Sequence, residues 1–505
     1  MKQPPWIMAA SCAPILLAAV LIGCHPCTAL VVQEAAPASK GEPVPPAGTW
    51  PMFGGTPVRN MVNLVDTKIP VTWKVDEGKQ ERVKWSVELG SAVYGGPIIA
   101  DGKVFVGTNN AKPRDPKVKG KDKAILMAFN EADGKFLWQI VHEFPAAELF
   151  NMARNEGLCS TPVFEGKHLY YVTPGAEVVC ADTAGKIKWS YDMMDKLKVV
   201  PHHLSNCSPL VVGDLVMVIT GNGVDEEGNL PSPKAPSFVA LNKKTGTLAW
   251  QSNLPGAKII EGQWSNPTLA TVNGKPQVIF AGGDSVLYSF EPVSGELIWK
   301  CNCNPLPRKK REDREFDNYV IATPVVVGDR LFVGMGPYPE HPTGVKHSYV
   351  LCLDITRKGD VSLKNYDAKS AANKDSALVW AFGGAIEPRP EKGRSILMGS
   401  TISTAAVHDG LVYIAEERGY FHCLDAKTGQ RHWYHEFTSN IWGSAYYVDG
   451  KVYVGVEDGD VAVFEHGKTK KLLATNSMED HLHSTPVVAG GVLYITTFAK
   501  LYALR

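Results

Sequence analysis

Five times in this chain a turn glycine is followed four residues later by tryptophan: Gly134 to Trp138, Gly185 to Trp189, Gly246 to Trp250, Gly295 to Trp299 and Gly429 to Trp433. Each copy follows a short apolar run that ends in an acidic or amide residue. The fullest forms are Leu241-Asn242-Lys243-Lys244-Thr245-Gly246 and Leu424-Asp425-Ala426-Lys427-Thr428-Gly429. A self-similar unit about every 40 to 50 residues marks an array of small β-sheets that bury their faces on one another, not a conventional enzyme core.

Within each unit the first strand opens on a small residue, usually followed by proline and then two apolar residues. Gly96-Pro97, Thr161-Pro162, Ser208-Pro209, Asn266-Pro267, Thr323-Pro324 and Thr485-Pro486 have this form, and Thr404-Ala405 and Ser444-Ala445 lack the proline. Hairpin turns such as Gly213-Asp214 and Asp449-Gly450 follow, then an alternating second strand, a third with the Ala-Leu-Asp-like segment, and a fourth that bears the tryptophan. Eight first strands predict an all-β fold, an eight-bladed β-propeller of four-stranded antiparallel blades. Blade five carries an insertion from about Thr356 to Ser376, which makes Trp380 its outer tryptophan, and Lys471 stands where blade seven should have one.

Blade eight stops after Leu501-Tyr502-Ala503-Leu504 and needs a fourth strand. Val83-Lys84-Trp85-Ser86-Val87-Glu88-Leu89 alternates strictly and has no strands of its own, so it is expected to close the ring; Val71-Thr72-Trp73-Lys74-Val75 competes for that place. A flat indole on an outer strand can wedge between blades, burying on the order of 150–250 Å². Trp85, Trp138, Trp189, Trp250, Trp299, Trp380 and Trp433 are therefore expected to be structural docking residues.

Length alone, at 505 residues, would allow two or three domains, but the repeat spans nearly everything after residue 80. Lys plus Arg equals Asp plus Glu at 52 each, so the chain has no global grip on nucleic acid. The run Arg308 to Arg311 is followed at once by Glu312, Asp313 and Glu315 and reads as a solvated loop. At the N-terminus one lysine, Lys2, precedes an apolar stretch from about Ile7 to Ile22 that is too short for a membrane span. Leu21-Ile22-Gly23-Cys24 resembles a lipobox, so residues 1–23 are expected to be a signal peptide cleaved before a lipidated Cys24; the alternative is an ordinary secretory signal cut nearby. His25, not Asp, follows the cysteine, which points to the outer membrane by the sorting rule of some Gram-negative lipoproteins. Residues 24–48 read as an Ala/Pro-rich tether, 49–81 as an N-terminal extension and 82–505 as the propeller. Of ten cysteines, Cys180, Cys352 and Cys423 sit at equivalent strand positions and are expected to act as small apolar side chains; Cys301-Asn302-Cys303 has a weak metal or redox look.

The repeated Ala-Leu-Asp-x-x-Thr-Gly-x-x-x-Trp pattern, fullest at Ala240 to Trp250 and Cys423 to Trp433, resembles the tryptophan-docking motif of the pyrroloquinoline quinone (PQQ)-like β-propeller family. That family includes quinoprotein alcohol dehydrogenases and also BamB-like lipoproteins, which are scaffolds without quinone, so the fold does not decide the function. Loops entering the first strands should crowd one end of the channel, bringing Tyr94, Glu156, His202, His203, Asn206, Trp264, Asn266, Asp317, Trp442, His481 and His483 toward one mouth. For a quinoprotein the resemblance implies PQQ with Ca²⁺. Glu156 and Asn206 would be ligands, Asp317 the base, Trp264 or Trp442 a stacking floor, and Asn266 a further cofactor contact. The family's alcohol dehydrogenases also carry a disulfide between adjacent cysteines, and this chain has no Cys-Cys pair and no haem domain.

The reading is therefore a monomeric, non-catalytic envelope protein without cofactor. It would bind a protein, a peptide, a glycan or a small ligand at its loop-lined channel face and touch the membrane only through a lipid anchor. The alternative is a PQQ/Ca²⁺-dependent dehydrogenase of alcohols or sugars.

Overall fold

The strands are short because each is bounded by turn chemistry. In Leu411–Ala415 and Tyr420–Asp425, a β-rich run ends where Asp425 turns its carboxylate back onto the N–H groups of Lys427 and Thr428. Gly429 then takes the left-handed conformation that lets the fourth strand, Arg431–Glu436, return antiparallel. A computed structural model describes residues 43–145, 154–306, 318–337 and 348–505 of the chain, and residues 41–505 form one unit. Cys24, the signal segment and Asp317 lie outside the described residues.

Eight sheets of four antiparallel strands form the blades, from the sheet beginning at Ile98–Ala100 to the one beginning at Val487–Ala489. The last sheet takes its outer strand from the N-terminal side: Val83–Glu88 pairs with Lys500–Leu504, with Trp85 opposite Ala503. The ring is thus closed by joining the two ends of the propeller, and Val71 to Val75 is not the closing strand. Trp73 is instead buried beside blade seven, where its indole N–H meets the sulfur of Met478 and Asn476 bonds its backbone.

The docking tryptophans share one register: each sits opposite a small or thiol side chain of the third strand, as in Trp138 with Ala128, Trp189 with Cys180 and Trp433 with Cys423. Their indole N–H groups reach the next blade's turn. Trp138 donates to Thr183 O, Trp189 to Lys243 O, Trp250 to Pro292 O, Trp380 to Ala426 O and Trp433 to Gly467 O. A Cβ on Gly246 would lie 2.6 Å from the Trp189 ring, so the glycine of one blade is the seat for the indole of the blade before.

Two positions differ from expectation. In blade seven the register places Ala474, opposite Val463, where the tryptophan belongs; the turn is one residue longer than that from Cys423 to Trp433 and Gly467 stands earlier in it than Gly429 does, so a fixed offset from the glycine lands on Lys471. Trp299 is buried but keeps its bond within its own blade, donating to Gln277. The insertion of blade five lies along it, with Gly359–Asp360 pairing in parallel with Trp299 and Lys300.

Residues 50–66 close the channel from one side, which the sequence does not foreshadow. The segment hydrogen-bonds to all eight blades in turn. Trp50 exchanges two bonds with Ile99, Pro51 accepts from Phe164, Pro57 from Leu269, Val58 from Val326 and Met61 from Tyr447. Asn60 pairs both ends of its amide with Val407, Asn63 donates to Val488 O, and Asp66 accepts from Gly491. Arg59 is fully buried with no carboxylate. Its guanidinium donates to the carbonyls of Phe53, Ser208, Pro209 and Pro267, which spans blades three and four. The innermost strands have otherwise unpaired edges, and this strap satisfies them.

Candidate functional site

The small polar residue that opens most first strands serves as a staple between blades. Thr161 N–H donates to Ser208 Oγ, Ser208 N–H to Asn266 Oδ1, Thr404 N–H to Ser444 Oγ and Ser444 N–H to Thr485 Oγ1. Asn266 Nδ2 continues the ring to Thr323 Oγ1 at 2.8 Å. A hydroxyl or amide at this point binds its neighbour's backbone, while the proline that often follows needs no N–H partner of its own.

Above that ring lies a cavity of about 720 Å³, floored by Trp50, Phe53, Gly54 and Met61 of the strap and walled by the first-strand loops of all eight blades. The size suits a small molecule or a short segment of chain. Three of its acidic groups face imidazoles. His203 Nε2 is 3.4 Å from Glu156 Oε1, His202 Nε2 is 3.1 Å from Glu261 Oε1, and His483 Nε2 is 3.3 Å from Glu457 Oε1. Tyr319 donates to the other oxygen of Glu261, and His202 Nδ1 lies against Val224 O. Trp442 stacks on His483 at 4.7 Å, with Tyr94 edge-on to both rings, while Trp264 lies edge-on to His202. Burial lowers the pKa of His483, against the raising effect of Glu457; burial also raises Glu457, but its bonds to Asn440 and His483 leave it below the usual carboxylate range. Burial and the adjacent Glu156 push the Cys159 thiol well up, so it is not an activated nucleophile.

Glu156, Asn206, Trp264, Asn266 and Trp442 all line this one cavity, as do His202, His203 and His483. Asn266 has both ends of its amide committed to the staple ring, whereas Asn206 Oδ1 is buried without a partner. His481 does not line the cavity; its Nδ1 rests on Glu457 O. Sequence reasoning missed Glu261, Glu457 and the floor. Glu457 sits in an ordinary-looking hairpin turn, Glu457-Asp458-Gly459, and only its position on the mouth side gives it a role.

Among the described residues, the lining does not fit PQQ with Ca²⁺. PQQ is a polycarboxylate, yet the described lining holds no lysine or arginine, and Arg59 under the floor has its donors committed to carbonyls. Among the described residues no group of three or more His, Cys, Asp and Glu is placed to hold a metal. Glu156 and Asn206 share the cavity, but Glu156 faces His203.

The family model described as outer membrane protein assembly factor BamB matches residues 122–366 and 364–505. No curated protein sequence matches the chain significantly. Among solved structures, BamB from Moraxella catarrhalis superposes with a TM-score of 0.52 at 13% identity, covering 84% of this chain and 97% of its own. Quinohemoprotein alcohol dehydrogenase from Comamonas testosteroni gives 0.61 at 13% identity, covering 90% and 80%. The computationally designed Ika8 protein gives 0.50 at 10% identity, covering 88% and 99%. At these identities the likeness is one of fold alone.

Proposed function

The chain belongs to the BamB-type family of PQQ-like β-propellers, and from that premise we propose that it is a non-catalytic binding protein of the cell envelope that receives its ligand in the channel mouth. The observation that supports this reading is the lining itself: a floored cavity in which three carboxylates face imidazoles and, among the described residues, no lysine or arginine meets a quinone polycarboxylate. Residues 1–23 serve as an export signal, Cys24 as a lipid anchor at the outer membrane, and residues 24–48 as the tether to a monomeric propeller. The partner at the loop face is an envelope protein, a peptide or a glycan.

The test is reconstitution of the purified full chain with PQQ and Ca²⁺, followed by thermal shift, quinone absorbance and dye-linked oxidation of alcohols and sugars. The reading expects no saturable shift and no oxidation. A saturable shift with turnover would replace it with the quinoprotein alternative. For the anchor, Cys24→Ser should abolish fatty-acid labelling and release the protein from the membrane fraction.

A further inference from the structure

We propose, resting on the non-catalytic reading, that the channel cavity is a binding site for an organic cation: an alkylammonium group carried on an apolar stem. Charge gives the first argument. The described lining contains five carboxylates, those of Glu156, Asp225, Glu226, Glu261 and Glu457, against three imidazoles and no lysine or arginine. Even with every imidazole protonated and the buried Arg59 included, carboxylates remain in excess among the described residues. A cavity walled in this way attracts cations and repels anions.

The second argument is the shape of the apolar wall. Around Glu457 the rings of Tyr94, Trp442 and His483 form one corner, with Tyr94 6.3 Å from Trp442; Phe498, outside the lining, packs on them at 6.0 Å from Tyr94 and 4.5 Å from His483. Aromatic faces carry negative potential, and an alkylammonium gains from them and from a nearby carboxylate together. Met61 and Phe53 in the floor offer the contact that an apolar stem needs.

A third observation is independent of both. His483 is 8% exposed, and its Nδ1 is buried without a hydrogen-bond partner. Because Nε2 faces the Glu457 carboxylate, which only accepts, Nε2 is the donor and Nδ1 an acceptor left open. Asn206 Oδ1, also lining the cavity, is a second buried acceptor without a partner. Open acceptors call for a ligand that donates N–H, which an ammonium group does and a carboxylate cannot.

Two sources share this chemistry: a free polyamine and the lysine side chain of a peptide. Calorimetric titration of the full chain at low salt, with n-hexylamine, n-hexanol and hexanoate as probes, tests the site. The expected result is saturable binding of hexylamine, with hexanol and hexanoate weaker by roughly ten-fold or more. Affinity should fall as salt rises. Glu457→Gln and Trp442→Ala should each weaken the amine by roughly ten-fold. The salt series on the unaltered protein keeps the test alive if a variant fails to fold. Spermidine and N-acetyl-lysine-methylamide separate the sources, the tighter of the two naming the class. Absence of saturable hexylamine binding, or hexanol binding equally well, overturns the proposal. Such a failure, with no response to PQQ and Ca²⁺, leaves the non-catalytic reading intact; a saturable PQQ response with turnover would sink that reading whatever the amines do.

Discussion

The indole of Trp85 lies over Gly134 so closely that a methyl group on the glycine would come within 2.7 Å of the ring. Trp85 also donates its indole N–H to Glu131 O, so the strand that closes blade eight is docked onto blade one by the same contact that joins the other blades. Gly134 holds φ at 71°, and its replacement by alanine meets two penalties. The left-handed backbone costs about 1–2 kcal/mol and the clash with Trp85 a similar amount, about 2–4 kcal/mol together. Gly213, with φ 59 and open space within 4 Å of where a methyl group would stand, carries the backbone penalty alone. Thermal melts of Gly134→Ala and Gly213→Ala should differ accordingly; equal losses would mean that the Trp85 contact does not close the ring.

Arg59 carries the second prediction. Its pKa is lowered to about 10 by burial, and its four carbonyl partners lie on the strap and on two blades. Arg59→Met leaves those carbonyls buried without a donor, at about 1–3 kcal/mol for each one that water does not reach. Lysine cannot reproduce the planar fork, so Arg59→Lys should recover only part of the loss. Hydrogen exchange should accelerate across residues 50–66 in both variants, and unchanged protection there would refute the strap's dependence on this side chain.

How much of this was legible in the sequence follows from where each contact's partner lies. Blade count and closing strand were readable because Gly246 with Trp250, or Val83 with Val87, are local patterns fixed by turn chemistry and by a period of two. The strap was not. Trp50 bonds Ile99 and Asn60 bonds Val407, partners set by ring closure, and the segment has no periodicity of its own. Lys471 was misplaced because offset counting fails when a turn lengthens, whereas strand register identifies Ala474. The cavity residues were half legible. Tryptophan and histidine beside first strands announce themselves, as Trp264 and His202 do, but Glu457 sits in a turn that polar residues fill anyway.

Asp284 provides a pH test away from the cavity. Burial raises its pKa from 3.8 to about 6, opposed by the hydrogen bond from Tyr288. A folded-state pKa above the unfolded value means that folding favours the protonated form. That contribution is full below the unfolded pKa and is lost as pH rises through the folded one. Relative to Asp284→Asn, the parent protein should therefore lose up to about 3 kcal/mol between pH ~4 and pH ~7. Denaturant melts of the pair across this range check it; parallel pH profiles would show that Asp284 is solvated.

Glu416, buried in blade six, gives the opposite sign. Burial pushes its pKa up, but its bonds from His422 at 2.6 Å and from Arg394 outweigh that and hold it below the usual carboxylate range. Its charge therefore stabilises the fold above the unfolded pKa, and that contribution falls away as pH drops through the folded value. Arg394→Met strips the carboxylate of its one arginine partner while leaving it almost fully buried, a loss of about 3–5 kcal/mol at neutral pH. In that variant burial dominates and Glu416 takes up a proton more readily, so the gap to the parent should narrow toward acid. Combining Arg394→Met with Glu416→Gln removes both charges and should restore part of the stability at neutral pH, because the cost arises from an unpaired buried charge and not from the missing contacts. A double variant no more stable than Arg394→Met at neutral pH would mean that the guanidinium acts through packing on Tyr420, which it overlies at 4.0 Å, and not through the carboxylate.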